Sequence, residues 1–133
     1  MAANTTPIFP NAPIVGVATL TSATAITSRA NITGTTGLVQ LTATSTNGTR
    51  IDAITVTGKG TTVASIVDIW VYNGTTSYLY AEILVGAVTA STTVAAFTTT
   101  QTFNSLVLPP TYQLYISEQV QTDLNVMAFG GTY

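Results

Sequence analysis

The chain has 133 residues with no cysteine and no histidine. It is long enough to bury a core by packing alone, and it lacks the side chains for disulfides, thiol chemistry, Cys/His zinc sites or a histidine base. Only Arg29, Arg50, Lys59, Asp52, Asp68, Glu82, Glu118 and Asp123 are charged, for a net charge of −2. Three scattered basic residues make no phosphate-binding stripe, so nucleic acid is not an expected partner.

Residues 1–13 hold Pro7, Pro10 and Pro13 around Ile8 and Phe9. Proline fixes φ and removes a donor, so the segment is expected to be an extended arm, with Ile8 and Phe9 as anchors on a neighbouring subunit. The start has no basic region followed by an apolar run, and no apolar stretch is long enough for a membrane helix. Neither a signal peptide nor a membrane partner is expected. Residues 14–20 and 24–32 alternate weakly. Gly34 and Gly37 mark a turn, and residues 38–42 form a short strand with Val39 and Leu41 on one side. After a turn at Asn47-Gly48, residues 50–57 form a strand aligning Ile54 and Val56, broken by Gly58-Lys59-Gly60.

Residues 65–85 are the clearest hairpin. Val67, Ile69 and Val71 alternate with Asp68, Trp70 and Tyr72, and Leu79, Ala81, Ile83 and Val85 with Tyr78, Tyr80 and Glu82. A five-residue loop over residues 73–77 puts both aliphatic sets on one face and Trp70, Tyr72, Tyr78 and Tyr80 together on the other. An even loop would set Trp70 beside Leu79, so the pattern favours the odd one. The aromatic face is then the expected contact surface, because monomers seldom leave that much ring surface bare; the alternative is that the second sheet covers it as core.

Beyond the hairpin, residues 86–91 read as a loop and residues 92–98 as a strand through Val94 and Phe97. Residues 99–104 are polar. Leu106-Val107-Leu108 ends at Pro109-Pro110. Tyr112, Leu114 and Ile116 then alternate with Gln113, Tyr115 and Ser117, residues 118–123 turn, and the last strand aligns Leu124, Val126 and Ala128 against Asn125, Met127 and Phe129. Short strands at roughly 8–12-residue spacing predict an all-β fold. The expected architecture is an antiparallel β-sandwich or jelly roll of about eight strands, with residues 14–133 as one domain behind the arm.

Little in the chain points to catalysis. Asp68 and Glu82 face each other across the hairpin beside aromatic rings, the pairing a glycosidase uses, but any two facing acidic residues give that signal. No base stands ready to activate a serine or threonine, no glycine-rich phosphate cradle is present, and the carboxylates are too scattered for a calcium loop. The expectation is a non-enzyme without a cofactor. A surface so poor in charge suits a protein packed against copies of itself or another protein.

The ending Leu124-Asn125-Val126-Met127-Ala128-Phe129-Gly130-Gly131-Thr132-Tyr133 resembles that of small virion proteins of tailed bacteriophages. So do Thr46-Asn47-Gly48-Thr49-Arg50-Ile51-Asp52, Ile69-Trp70-Val71-Tyr72-Asn73-Gly74-Thr75 and Leu106-Val107-Leu108-Pro109. The resemblance implies a head decoration or cement protein. Such a protein would be made in the host cytoplasm, trimerise on the capsid surface and clamp major capsid subunits. It assigns no residue a role. Two other readings stand beside it: a carbohydrate-binding module stacking sugars on Trp70, Tyr72, Tyr78 and Tyr80, and a tail or baseplate component.

Overall fold

The computed structural model describes residues 10–21 and 25–133. Nine strands occur among them: β1 (Ala12–Leu20), β2 (Ile32–Thr33), β3 (Val39–Gln40), β4 (Thr49–Gly58), β5 (Ser65–Tyr72), β6 (Thr76–Val85), β7 (Thr98–Leu108), β8 (Gln113–Glu118) and β9 (Leu124–Thr132). All ladders are antiparallel. They build a four-stranded sheet in the order β1-β9-β4-β7 and a five-stranded sheet in the order β2-β6-β5-β8-β3. The expected β-sandwich is what forms.

Alternation decides which side chains meet between the sheets. Ala18 and Leu20 of β1, Ile54 and Val56 of β4, Leu106 and Leu108 of β7 and Leu124, Val126 and Ala128 of β9 face the core from one side. Val67 and Ile69 of β5, Ile83 and Val85 of β6, Leu114 and Ile116 of β8 and Leu41 face it from the other. Each large aliphatic removed from water contributes about 1.5–3 kcal/mol, and here this burial substitutes for disulfides. The alternation read in 50–57 and 124–129 therefore assigns the buried faces correctly.

Several expectations need correction. Residues 92–97 form no strand, and Val94 is exposed; the strand is β7, which takes in the polar stretch 99–104. Threonine suits a strand whose outer face is solvated, and here Thr100 and Thr98 exchange hydroxyl hydrogen bonds with Thr55 and Thr57 of β4 at 2.8 and 3.2 Å. Glu118 does not begin the turn: it ends β8, buried, and accepts a hydrogen bond from the Thr122 N–H. The arm boundary also moves, because Ala12 and Pro13 already belong to β1 and the Asn11 N–H donates to the Thr132 carbonyl.

The hairpin departs most from expectation. Below Ile69 the register is the expected one, with Asp68 opposite Glu82 and Val67 opposite Ile83. A bulge at Tyr80 then shifts the ladder by one, so Trp70 pairs with Leu79 and Tyr72 with Ser77, leaving residues 73–76 as an even loop. The turn carries its own reason. The Asn73 side chain accepts hydrogen bonds from the Thr75 and Thr76 N–H groups, and Gly74 takes φ +98°, a left-handed conformation glycine adopts without steric cost.

The outer face of the five-stranded sheet is roofed by residues 25–38, between β1 and β3. The Ile26 N–H donates to the Glu118 carbonyl on β8. Arg29 then reaches Glu82 on β6, and Ile32 pairs with Ser77 at the far side of the sheet. The Gly34 N–H bonds Thr75 and its carbonyl accepts from the Ser77 hydroxyl, after which the chain returns to pair Val39 with Ile116 of β8. Since β5 lies between β6 and β8, this strap crosses β5 twice. Its two passes lie side by side, for a carbon added at Gly37 would stand 3.1 Å from Ile26 Cδ1.

Candidate functional site

The bulge divides the four rings. Trp70 is 0% exposed and lies outside the inter-sheet core, between Leu79 and Tyr115 on the roofed face. Tyr72 shares that face, half-buried, edge-on to Tyr115 with centroids 5.5 Å apart. Tyr80 instead packs on Phe103 of the opposite sheet at 5.9 Å and is 48% exposed, while Tyr78 is 43% exposed. The structure therefore does not assemble Trp70, Tyr72, Tyr78 and Tyr80 into one bare surface. The expected odd loop fails because the sheet is covered on both faces, so the aliphatic set has no unique claim to the buried side. Ile8 and Phe9 lie outside the described residues.

Asp68 and Glu82 face each other as expected, and both are engaged. The Trp70 indole donates to Ser117 Oγ at 2.9 Å, and the Ser117 hydroxyl donates to Asp68 Oδ2 at 3.4 Å. Gln119 Nε2 donates to Asp68 Oδ1 at 3.1 Å and to Glu82 Oε1 at 3.3 Å. Arg29 of the strap completes the chain through its Nε–H to Glu82 and a 3.4 Å contact to Gln119 Oε1. One amide thus bridges two carboxylates, an arginine neutralises the more exposed of them, and the buried one is held by neutral donors. The physical result is a fastening for the strap above Trp70. A lone buried charge without such partners would be costly.

Burial pushes the Asp68 carboxyl above its ordinary range, with Glu82 adding to the shift and the Gln119 and Ser117 donors opposing it. Burial also raises Glu118. A carboxyl whose folded-state pKa exceeds its unfolded value holds more protons when folded, so its contribution to stability grows as pH falls from the raised value toward about 4, and is lost on the way back up. The melting temperature is therefore expected to gain from these two groups on acidification from pH 7 toward about pH 4. In Asp68→Asn the gain should shrink to the Glu118 share. A thermal-melt series over that window checks it, and equal slopes in the two proteins would refute the assignment to Asp68.

A different surface was legible but unweighted in the sequence. The outer face of the four-stranded sheet carries Val15, Val17 and Thr19 of β1, Phe129, Met127 and Asn125 of β9, Ala53, Thr55 and Thr57 of β4, and Thr102, Thr100 and Thr98 of β7, in cross-strand rows. No charged side chain stands among them. Val15, Val17 and Phe129 are 58%, 59% and 39% exposed. The alternation that buries Leu124, Val126 and Ala128 is what turns Met127 and Phe129 outward. Charges stand at the two ends of these rows: Arg50 and Asp52 bond each other at 2.7 Å at one, and Lys59, whose N–H donates to the Asp123 carbonyl, follows Thr57 at the other. No family model, curated protein or solved structure matches the chain.

Proposed function

We propose that the protein is a structural component of a tailed-bacteriophage virion, a head decoration or cement protein that lies on the capsid and clamps neighbouring major capsid subunits. The observation that carries this reading is the uncharged outer face of the four-stranded sheet, where Val15 and Val17 stand beside Phe129 and Met127 in adjacent register. A monomer rarely leaves a contiguous apolar face open without a partner. A face built of valine, threonine and aromatic carbon suits a flat protein shell, and it gives salt little to screen.

We read the strand order, with β1-β9-β4-β7 packed on β3-β8-β5-β6, as a jelly roll. That arrangement recurs in viral shell proteins, and it supports the reading by analogy of fold alone. The sugar-binding alternative loses its main support with Trp70, whose ring is enclosed and offers no stacking platform.

Imaging of labelled protein on purified virions tests the reading. Label on the heads supports it, label on the tail assigns the protein to the tail or baseplate, and absence from virions overturns it. Val17→Lys places a charge in the middle of the apolar stripe at an exposed position. Its expected effect is at least a tenfold loss of head attachment by co-sedimentation, with stability changed by less than about 0.5 kcal/mol, as for other exposed sites. Attachment by the wild type should vary little with ionic strength.

A further inference from the structure

A sheet edge exposes a row of unpaired N–H and C=O groups, and natural proteins blunt such edges by shortness, proline, charge or cover. This sandwich has four edges. Two of them, β2 and β3, are two residues long. A third, β1, carries Pro13 near its start and runs so close to the chain after β3 that a carbon added at Gly16 would overlap the Leu41 carbonyl oxygen.

The fourth edge is neither short nor charged, has no proline within the strand, and its one irregularity lies at residues 103–105, which stand opposite Asp52; residues 98–102 form a regular ladder. β7 is eleven residues long and, among the described residues, pairs with β4 alone. No charged residue occurs between Glu82 and Glu118, so neither β7 nor the loops at its ends carry one. Thr99 and Gln101, which point toward the core, are only half-buried, whereas their β4 partners Val56 and Ile54 are fully buried. Solvent therefore reaches this edge. Beside it Tyr80 and Phe103 close the gap between the sheets with rings that stay partly exposed.

We propose that the β7 edge is a self-association surface, on which β7 of a second copy adds as an antiparallel strand across a two-fold axis at Thr100. The two four-stranded sheets then join into one sheet of eight strands, and the Tyr80–Phe103 pairs of both copies flank the seam. The sequence of the edge selects a second copy. Read antiparallel about Thr100, residues 98–102 set Thr98 against Thr102 and Thr99 against Gln101 of the other copy, pairs that bring β-branched and amide side chains together and oppose no like charges. The same patch serves both partners, as a two-fold contact requires. A five-residue seam is about 17 Å long. With the half-exposed rings on each side it reaches roughly 1,000 Å², the lower bound for a specific interface, so the pair is expected to dissociate in the micromolar range. A three-fold ring would instead need β7 to meet a different edge, and the other three are blunted. The pairing is independent of the phage reading and leaves the apolar outer face free.

Sedimentation velocity of the full chain across micromolar concentrations should show a monomer–dimer equilibrium. T98K/T102K sets like charges opposite each other at both ends of the seam and should hold the chain monomeric. T98K/T102E sets opposite charges across the two-fold and should restore the dimer, now weakened by salt. Both positions are exposed, and an unchanged Trp70 emission verifies the fold of each variant. A wild-type monomer at every concentration, a trimer, or a dimer indifferent to T98K/T102K overturns the proposal. A monomer that dimerises only after removal of residues 1–9 also overturns it, assigning the edge to that segment.

Discussion

Trp70→Ala is expected to lower stability by about 3–5 kcal/mol, the range for truncating a buried tryptophan, and to free the strap before the sandwich unfolds. Trp70 is the only tryptophan in the chain and 0% exposed, yet it takes no part in the inter-sheet core. Its ring lies on the outer face of β5, the face that the strap crosses, so its loss is expected to leave a void beneath the strap. A loss of this size is a large fraction of the ~5–15 kcal/mol that holds a typical domain together.

The chain supplies a direct readout. Trypsin can cut only after Arg29, Arg50 and Lys59, and of these Arg29 alone lies in the strap. In the wild type its link to Glu82 and the Ile26 hydrogen bond to Glu118 keep the backbone there out of a protease cleft. In Trp70→Ala, cleavage after Arg29 should precede all other cuts and become much faster. Trp70→Phe keeps much of the apolar bulk but removes the indole donor to Ser117, whose hydroxyl retains only its own bond to Asp68, and losing one buried hydrogen bond costs about 0.5–1.5 kcal/mol. It should fall between the other two proteins. Equal protection of Arg29 in wild type and Trp70→Ala would refute the strap's dependence on Trp70.

The strap also explains what the sequence could and could not reveal. Where one face meets the core and the other meets water, alternation reads cleanly: Ile54 and Val56, or Leu124, Val126 and Ala128, are buried as their spacing implies. The lower hairpin is legible for a different reason: Asp68 and Glu82 contrast in polarity with Val67, Ile69 and Ile83, although Asp68 is itself buried. The upper hairpin is not, because Trp70 and Ser77 on its outer face are as buried as Ile69 on its inner one. A two-set pattern cannot choose a register when both faces are covered. The cover itself lacks period, since residues 25–31 follow the needs of Arg29, Ile26 and the turn glycines and form no strand. β7 hid for another reason. An edge strand with solvent on one face and half-exposed Thr99 and Gln101 on the other has no apolar alternation to display across residues 98–102.

Gly130→Ala is expected to be the most damaging single-methyl change, costing about 3 kcal/mol or more, which places it in the tail of single-substitution effects. Gly130 lies in β9, between β1 and β4, opposite Ile14 on one side and Ile51 on the other. Next to Ile51 the β4 ladder is irregular on both sides: Asp52 is an extra residue against β9, while residues 103–105 of β7 stand opposite it. The bulge carries the β4 backbone across Gly130, so that an added carbon would overlap the Arg50 carbonyl oxygen and stand 3.0 Å from Ile51 Cα. The φ of Gly130 is not positive, so the requirement is space rather than conformation. Nothing nearby can yield, because the obstructing atoms are backbone held between neighbouring strands. Relief has to come from moving β9 away from β4, which breaks the register that sets Phe129 and Met127 beside Val15 and Val17 on the outer face. Gly60→Ala is the matched comparison, a position with open space where a methyl group should change little. Urea unfolding of the two variants measures the difference directly, and a loss below about 1 kcal/mol in Gly130→Ala would show that the bulge can relax. If the larger loss is found, the proposed decoration function further predicts that attachment to heads at low temperature falls with it, since the same shift that relieves the clash dismantles the proposed contact face.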